Sequence, residues 1–494
     1  MALDILPVCR APYVCSHAMN KLLIALREYR SREVALLFPL GFGSGVPLLL
    51  VLSTLTMWLS EAGLQKAGIA AFQYVGTAWA IKFLWAPSVD RMPIPWLTAR
   101  VGQRRSWMIV GQLGIAGGLF AMSFLSPQAS LPQMALLCVW IATFSATYDI
   151  ALDGWRVAVL TDDQQGAGSS AIQLGYRVAM LMTGAGALFL ADALRSDPPG
   201  AIAMARQVAG HAANIAAEIS GGRAGTIMVP NLHLAEEIWP KVYRIMASLM
   251  GISLIATIFA KEPHDERDDE EQGGVLQQVR AAVIEPFTAF FEAQGGMKLA
   301  LLTLGFVLFF RLSDSIAGSL MNPFLNELGF PYSEIARITK VFGFIATILG
   351  IALGGTLFRV WGATRTLWVA AVVQTASNLL FVLQAQVGAD PLILHFTIGI
   401  ENVSGGLGAA AFVAWLSTLC EKRYSATQYA LLSSLAMVGR TLVAGSVGGI
   451  ADHYGWVVFF VFSTVAGVPG ILLLWILQRA RKREAASLQQ AIGG

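Results

Sequence analysis

The stretch ATYDIALDGWRVAVL, residues 146–160, places three charged side chains at the end of an apolar run that begins at Gln133. An Asp or Arg at the centre of a membrane helix costs about 2.5–3.5 kcal/mol on insertion scales. Asp149 and Asp153 are spaced i, i+4 and share one helix face, while Asp153 and Arg156 are spaced i, i+3 and can pair. We therefore predict that this face lines a wet cavity instead of contacting lipid.

The composition indicates that the whole chain is a membrane protein. Of the 494 residues, 55% are hydrophobic and only 13% are charged, whereas a soluble domain is typically about 25% charged. A membrane helix needs about 20 apolar residues, and runs of that kind recur near 34–59, 68–88, 107–125, 133–160, 170–192, 241–260, 297–320, 335–359, 366–386, 392–419, 428–450 and 457–477. The chain is predicted to be an all-α polytopic membrane protein with about twelve transmembrane helices.

A polar stretch at 261–296 divides the predicted spans into two groups of six. Its first part, KEPHDERDDEEQGG, is strongly charged, and the apolar face of VLQQVRAAVIEPFTAFFEAQ predicts a helix lying on the membrane surface. Lys and Arg concentrate on the side that carries both termini, which predicts that this side is cytoplasmic. The predicted domains are a leader at 1–33, a six-helix bundle at 34–260 with an outer insertion at about 193–240, a linker at 261–296, a second six-helix bundle at 297–477 and a tail at 478–494.

The loop APSVDRMPIPWLTARVGQRRSW, residues 86–107, carries a spaced Asp-Arg, Gly and Arg-Arg pattern that resembles a signature of the major facilitator superfamily. The corresponding loop GGTLFRVWGATRTLW, residues 354–368, keeps Arg359, Gly362 and Arg365 but has no Asp. Repeated halves are typical of secondary transporters. The pattern favours two pseudo-symmetric bundles of this superfamily, with predicted gating residues Asp90, Arg91, Arg104, Arg105, Asp153 and Arg156.

Ten charged residues fall within the predicted spans: Lys82, Asp149, Asp153, Arg156, Arg177, Arg311, Asp314, Lys340, Glu401 and Arg440. Six are basic, and this excess suits an anionic substrate because Arg binds carboxylates with a two-pronged fork. A carboxylate that alternates between an apolar surrounding and an Arg can bind and release a proton. The predicted proton carriers are Asp149, Asp314 and Glu401, and the predicted substrate-binding residues are Arg311, Arg440, Lys82, Arg177, Asn402 and Tyr148.

Each of these residues has a structural alternative. Asp153 and Arg156 can form a helix lock that never contacts substrate, and the mid-depth charges can be buried ion pairs. Lys82 and Lys340 can extend toward a membrane interface.

Several stretches resemble the AmpG-type muropeptide permeases, in the peptide/acetyl-CoA transporter branch of the superfamily. They include LGFGSGVPLLLVLSTLTMWL (40–59), SATYDIALDGWRVAVL (145–160) and ENVSGGLGAAAFVAWLSTLCEKRYSATQYALLSSLAMVGRTL (401–442), and the likeness extends from about 34 to 477. The resemblance implies proton-driven import, across the bacterial inner membrane, of N-acetylglucosamine–anhydro-N-acetylmuramic acid with or without peptide. This is a wall-recycling cargo, linked in some bacteria to β-lactamase induction and thus to antibiotic resistance.

The outer insertion at 193–240 is longer than in the family pattern, and some members carry further C-terminal spans. The identity of the cargo is therefore left open by the sequence. The alternatives are a transporter of another anionic solute such as a siderophore or nucleotide thioester, a membrane transferase, or a sensor that signals through 261–296. No His/Asp acid–base group falls in a loop, and the spacing of the four cysteines predicts no metal site or disulfide framework. We expect a monomer in the lipid bilayer that binds cargo and protons, with no catalytic residue, cofactor, metal or nucleic acid.

Overall fold

The structure is a computed structural model that describes residues 27–64, 72–195, 232–263, 284–331, 334–335, 337–444 and 448–492. Within these ranges the side chains of some residues, Lys340 and Arg440 among them, lie outside the description. Most of the predicted leader, most of the outer insertion and residues 264–283 of the linker also lie outside it.

The described chain is predominantly helical, with turns between its helices. We number its main helices α1 Arg32–Glu61, α2 Ala86–Arg91, α3 Gln103–Met122, α4 Leu131–Val159, α5 Gln165–Ala191, α6 Glu237–Phe259, α7 Glu285–Ala293, α8 Met297–Glu327, α9 Arg337–Val387, α10 Pro391–Thr418, α11 Ser425–Ala444 and α12 Ile450–Glu484. Among the described residues, eight helices are long and apolar enough to cross a membrane. The all-helical prediction is confirmed.

Helical segments overlap all twelve predicted spans, but the second, eighth and ninth differ in form from separate straight helices. The second is broken into short pieces, Phe72–Gly76, Thr77–Ala80, Lys82–Leu84 and α2. The eighth and ninth run together as α9, whose 51 residues suffice for two crossings and which turns at Gly362. Gly362 has φ +78°, a left-handed conformation that favours glycine.

Glycines bring α1 and α5 into direct backbone contact. A Cβ added at Gly41 would collide with the backbone of Ile172, and one at Gly175 would collide with the backbone of Phe38. Small residues are the usual means by which membrane helices approach closely. The glycine-rich start of α1 is thus a packing surface in this structure.

One end of the molecule carries the loop before α3, the start of α11 and both described ends of the linker, and we call it the linker end. There α7 contacts both halves: Arg91 Nη2 lies 3.0 Å from Glu285 Oε2, and Gln428 Nε2 donates to Pro286 O at 3.0 Å. The described part of the predicted surface helix therefore bridges the halves at the linker end.

Candidate functional site

The first charged cluster lies inside the N-terminal half. Asp149 of α4 accepts a 2.5 Å hydrogen bond from Ser44 Oγ of α1 and interacts electrostatically with Lys82. Lys82 is buried, with 8% of its surface exposed, so its charge is held among the helices. Asp149 lies ten residues from the end of α4, or about 15 Å at 1.5 Å per residue. This is the depth of the middle of a hydrocarbon layer about 30 Å thick.

A second cluster lies within the C-terminal half. Arg311 Nη2 is 2.9 Å from Asp314 Oδ2, an ion pair between residues spaced i, i+3. Glu401 of α10 accepts a 2.7 Å hydrogen bond from Asn402 Nδ2. Thr347 Oγ1 of α9 in turn donates to Asn402 Oδ1 at 2.8 Å. The second cluster thus combines charges with an amide and a hydroxyl.

Glu401 connects the two halves electrostatically. It interacts with Arg311 and Asp314 of its own half and with Arg177 of α5 in the other half. Because Arg177 belongs to the other half, this interaction indicates that the Glu401 carboxylate lies on the side of α10 nearer the N-terminal bundle. The side chains of Arg311 and Asp314 keep 29% and 20% of their surface exposed, so the group remains accessible. We call Arg177, Arg311, Asp314 and Glu401 the central charge cluster.

Tyr148 is placed differently from the other predicted binding residues. Its side chain is fully buried, its hydroxyl donates to Leu40 O at 2.8 Å, and it lies 2.8 Å from Ser253 Oγ. Gln112 Nε2 also donates to Ser253 Oγ, which completes a polar network within the N-terminal half. We assign Tyr148 a packing role in this half.

The predicted gating residues meet at the linker end. Asp90 is 2% exposed, and its Oδ2 accepts from both the backbone N–H and the hydroxyl of Thr427, at 2.7 and 2.6 Å. Arg104 Nη2 donates to Lys422 O and to Ser425 Oγ, both at 3.0 Å. All of these partners lie in the other half, near the start of α11. The two halves are therefore closed against each other at this end.

Arg156 adds a third cross-half contact. It is fully buried, donates to Ser417 Oγ of α10 at 2.6 Å, and lies over the ring of Tyr429 at 4.9 Å. Its second nitrogen is 3.3 Å from Asp153 Oδ1, which confirms the predicted i, i+3 pair. We call the contacts of Asp90, Arg104 and Arg156 with the C-terminal half the linker-end lock.

Arg105 and Glu262 hold helices of the N-terminal half together. Arg105 donates to the carbonyls of Thr257 and Ile258 at the end of α6. The Glu262 carboxylate accepts from the backbone N–H groups of Arg104 and Arg105 and so caps the start of α3. Burial raises the pKa of the Glu262 carboxyl, and the two amide hydrogen bonds and nearby guanidinium groups oppose that rise.

Reasoning from the sequence missed the hydroxyl partners of the charged residues, namely Ser44, Thr347, Ser417, Ser425 and Thr427. It also missed the cross-half pair of Asp163 Oδ1 and Arg359 Nη1, which are 2.7 Å apart. Ser44 had a local signal, because it is the polar residue in the glycine-rich segment GFGSG.

This arrangement of helices is the fold of a major facilitator superfamily transporter. The structure resembles such a transporter, FucP in its outward conformation, with a TM-score of 0.62 at 12% identity, covering 91% of this chain and 99% of that chain. It also resembles the human organic anion transporter TETRAN, with a TM-score of 0.60 at 12% identity, covering 90% and 99% of the two chains.

Sequence relatives define the family more closely. The chain is 34% identical to the anhydromuropeptide permease of Escherichia coli K12 over 455 residues, which cover 92% of this chain and 81% of that permease. It is 31% identical to transporter AmpG 4 of Rickettsia felis over 453 residues, 92% of this chain and 97% of that protein. Residues 233–468 match the BT1 family. The chain belongs to the AmpG family of multi-span membrane transporters.

Proposed function

We propose that the protein imports anhydromuropeptides across the bacterial inner membrane in symport with protons, by alternating access. The cargo is the disaccharide N-acetylglucosamine–anhydro-N-acetylmuramic acid with or without peptide, and both termini lie in the cytoplasm. The cargo is supported by the Escherichia coli relative, which is an anhydromuropeptide permease. The observation that carries the proposal is the central charge cluster, in which Glu401 interacts with Arg177 across the two halves.

The central cluster offers groups that suit each part of this cargo. Guanidinium groups bind carboxylates with two parallel hydrogen bonds, so Arg311 and Arg177 suit the acidic groups of a muropeptide. Asn402 and Thr347 lie beside Glu401 and present the amide and hydroxyl chemistry that orients sugar hydroxyls. Arg440 is a further proposed anchor, and Lys82 a second choice beside Asp149.

The carboxylate of Glu401 and the carboxylate of the cargo compete for the same arginines in this mechanism. When Glu401 is ionised, it holds Arg177 and Arg311 electrostatically. Protonation of Glu401 removes its attraction for these two arginines, so they interact more strongly with the carboxylate of the cargo, and binding of the two ligands is coupled. Asp314 and Asp149 are further proposed carriers. The linker-end lock then opens as the halves rock, and the cargo and proton leave on the cytoplasmic side.

Uptake into proteoliposomes tests the proposal. Purified full-length protein should accumulate labelled anhydromuropeptide when the outside is made acidic, and only equilibrate it when the two sides have equal pH. A protonophore should abolish the accumulation. Accumulation that ignores the pH gradient would contradict proton coupling, and absence of any muropeptide uptake would contradict the cargo.

The same preparation distinguishes the alternative functions. A siderophore or nucleotide-thioester transporter would accumulate those solutes and not the muropeptide. A sensor would bind muropeptide without moving it, and a transferase would convert it to a new compound. The oligomeric state, which we propose is a monomer, follows from mass measurement of the active sample.

Replacing Arg311 with Gln should weaken the binding of acidic cargo specifically. A hydrogen bond to a charged group is worth about 1.5–3 kcal/mol, so we expect affinity to fall about 10- to 100-fold. The same compound with its carboxylates amidated should lose far less. Calorimetry on both compounds measures the difference.

Arg337→Gln is the matched control. Arg337, like Arg311, pairs with an acid three residues away, in this case Glu334, but its side chain is 69% exposed. An equal loss of affinity for acidic and amidated cargo would exclude Arg311 as a carboxylate anchor.

A further inference from the structure

A narrow apolar groove lies between the two halves near the linker end. Its walls are the first turns of α1, an early part of α5 and the part of α9 before its turn at Gly362, and they include Ala35, Phe38, Ala171, Ile348 and Ala352. Its volume is about 200 Å³, which is smaller than the roughly 300–1,000 Å³ of drug-sized ligand sites. The groove therefore suits a slender hydrocarbon chain and not a folded solute.

The groove opens sideways onto the lipid-facing surface of α9. Ala35, Phe38 and Ala352 at its mouth are exposed. Beside it, Ile345, Leu349 and Leu353 follow at helical spacing and are 54%, 56% and 47% exposed, as expected of a face that contacts hydrocarbon. The groove is continuous with this hydrocarbon-facing surface, so a membrane lipid is the molecule best placed to occupy it.

Basic residues flank Tyr29, one of the residues that line the groove. α1 begins at Arg32 with Ser31 as its N-cap, so Arg30 lies just before the first turn of this membrane-spanning helix. Arg27 and Arg30 are both exposed, and Tyr29 between them lines the groove. The Tyr29 hydroxyl donates to Ala352 O at 3.4 Å, which joins this segment to the other half. Basic groups at such pockets bind anionic lipid head groups.

We propose that a phosphatidylglycerol molecule of the linker-side leaflet inserts one acyl chain into this groove, with its phosphate at Arg30 and Arg27. The walls belong to both halves, and Ser170 Oγ of α5 donates to Ile351 O of α9 at 2.7 Å along the groove floor. The complete groove therefore exists when the halves meet at the linker end. Lipid bound there stabilises that closed state, because a ligand favours the state that it binds better.

Photo-crosslinking tests the lipid site without any transport assay. Full-length protein is placed in phosphatidylcholine nanodiscs that contain a small fraction of phosphatidylglycerol with a photoactivatable group on one acyl chain. After irradiation, peptide mapping should find the label concentrated at 34–38 and 348–352. Ala35→Trp fills the groove and should reduce labelling at these sites at least fivefold.

Two controls make the result specific. Leu349→Trp places the same ring on the exposed lipid face beside the groove and should leave the labelling unchanged. Photoactivatable phosphatidylcholine should label the groove less than phosphatidylglycerol does, and Arg30→Gln should remove that difference. If Ala35→Trp does not fold, Ala352→Leu replaces it.

Uniform labelling of all lipid-facing helices would overturn the proposal and indicate ordinary surrounding lipid. Labelling that persists in the groove-filling variant would overturn it as well. Equal labelling of the wild-type groove by the two lipids would contradict the role of Arg30.

Discussion

Glu401→Gln is expected to abolish accumulation of muropeptide by a pH gradient while leaving passive exchange of cargo intact. A gradient of one pH unit supplies about 1.4 kcal/mol per proton, which corresponds to about tenfold accumulation for one coupled proton. The amide cannot carry a proton, so the variant should only equilibrate its cargo. Its oxygen can still accept the hydrogen bond from Asn402 Nδ2, so the local geometry is retained.

Two measurements on the same liposomes separate coupling from movement. Counterflow with cargo on both sides should remain measurable in Glu401→Gln, and gradient-driven uptake should not. Glu334→Gln is a matched control, because it makes the same chemical change at a Glu that pairs with Arg337 and lies outside the central charge cluster. It should accumulate cargo normally.

Asp149→Asn, examined in the same way, distinguishes the two clusters. If Asp149 is a second carrier, this variant also loses accumulation. If both variants fold and still concentrate cargo tenfold, the assignment of these carboxylates as proton carriers is wrong.

Local pairing was predictable from the sequence because helix geometry fixes it. Residues at i, i+3 are neighbours on any helix surface, and the pairs Asp153–Arg156 and Arg311–Asp314 follow from spacing alone. The cost of a charge in hydrocarbon likewise predicted that Asp149 and Glu401 face inward. These inferences need no knowledge of which helices are neighbours.

Partners from different helices were not predictable in this way. The contact of Asp149 with Ser44 joins α4 to α1, and the interaction of Glu401 with Arg177 joins residues 224 positions apart in sequence (401 minus 177). A single sequence gives no information on which of several helices lies opposite a given face. Only the loop pattern around Asp90 pointed to a specific tertiary role.

Helix form also depended on packing that hydropathy does not encode. The second predicted span is a series of short helical pieces, although its composition is apolar. The eighth and ninth spans have no separating loop, because the chain turns at Gly362 within α9. Hydropathy counts apolar residues over a window and is insensitive to both features.

Asp90→Ala should shift the protein toward the state that is open at the linker end. The Asp90 carboxylate accepts two hydrogen bonds from Thr427, near the N-terminus of α11, and so acts as a cap supplied by the opposite half. Loss of a cap costs about 0.5–2 kcal/mol. Since only the closed state has this contact, a loss of 1–2 kcal/mol would change the ratio of open to closed molecules by a factor of about 5–30.

Distances between spin labels measure this equilibrium directly. Asp162 and Thr364 are exposed at the linker end in opposite halves. Cysteines at these positions, in a full-length chain whose own four cysteines are replaced, can carry the labels. The wild type should show mainly the short distance, and Asp90→Ala should gain a population at longer distance. Asp90→Asn keeps one acceptor oxygen without the charge and should fall between them.

Asp452→Ala is the matched control, because it makes the same chemical change at an exposed position on α12. It should leave the distance distribution unchanged. An unchanged distribution in Asp90→Ala would mean that the other cross-half contacts are sufficient. Arg156→Ala would then be the decisive variant, since the buried Arg156 side chain contacts both Ser417 and the Tyr429 ring. If neither variant lengthens the distance, the linker-end lock is packing between the bundles and not a gate.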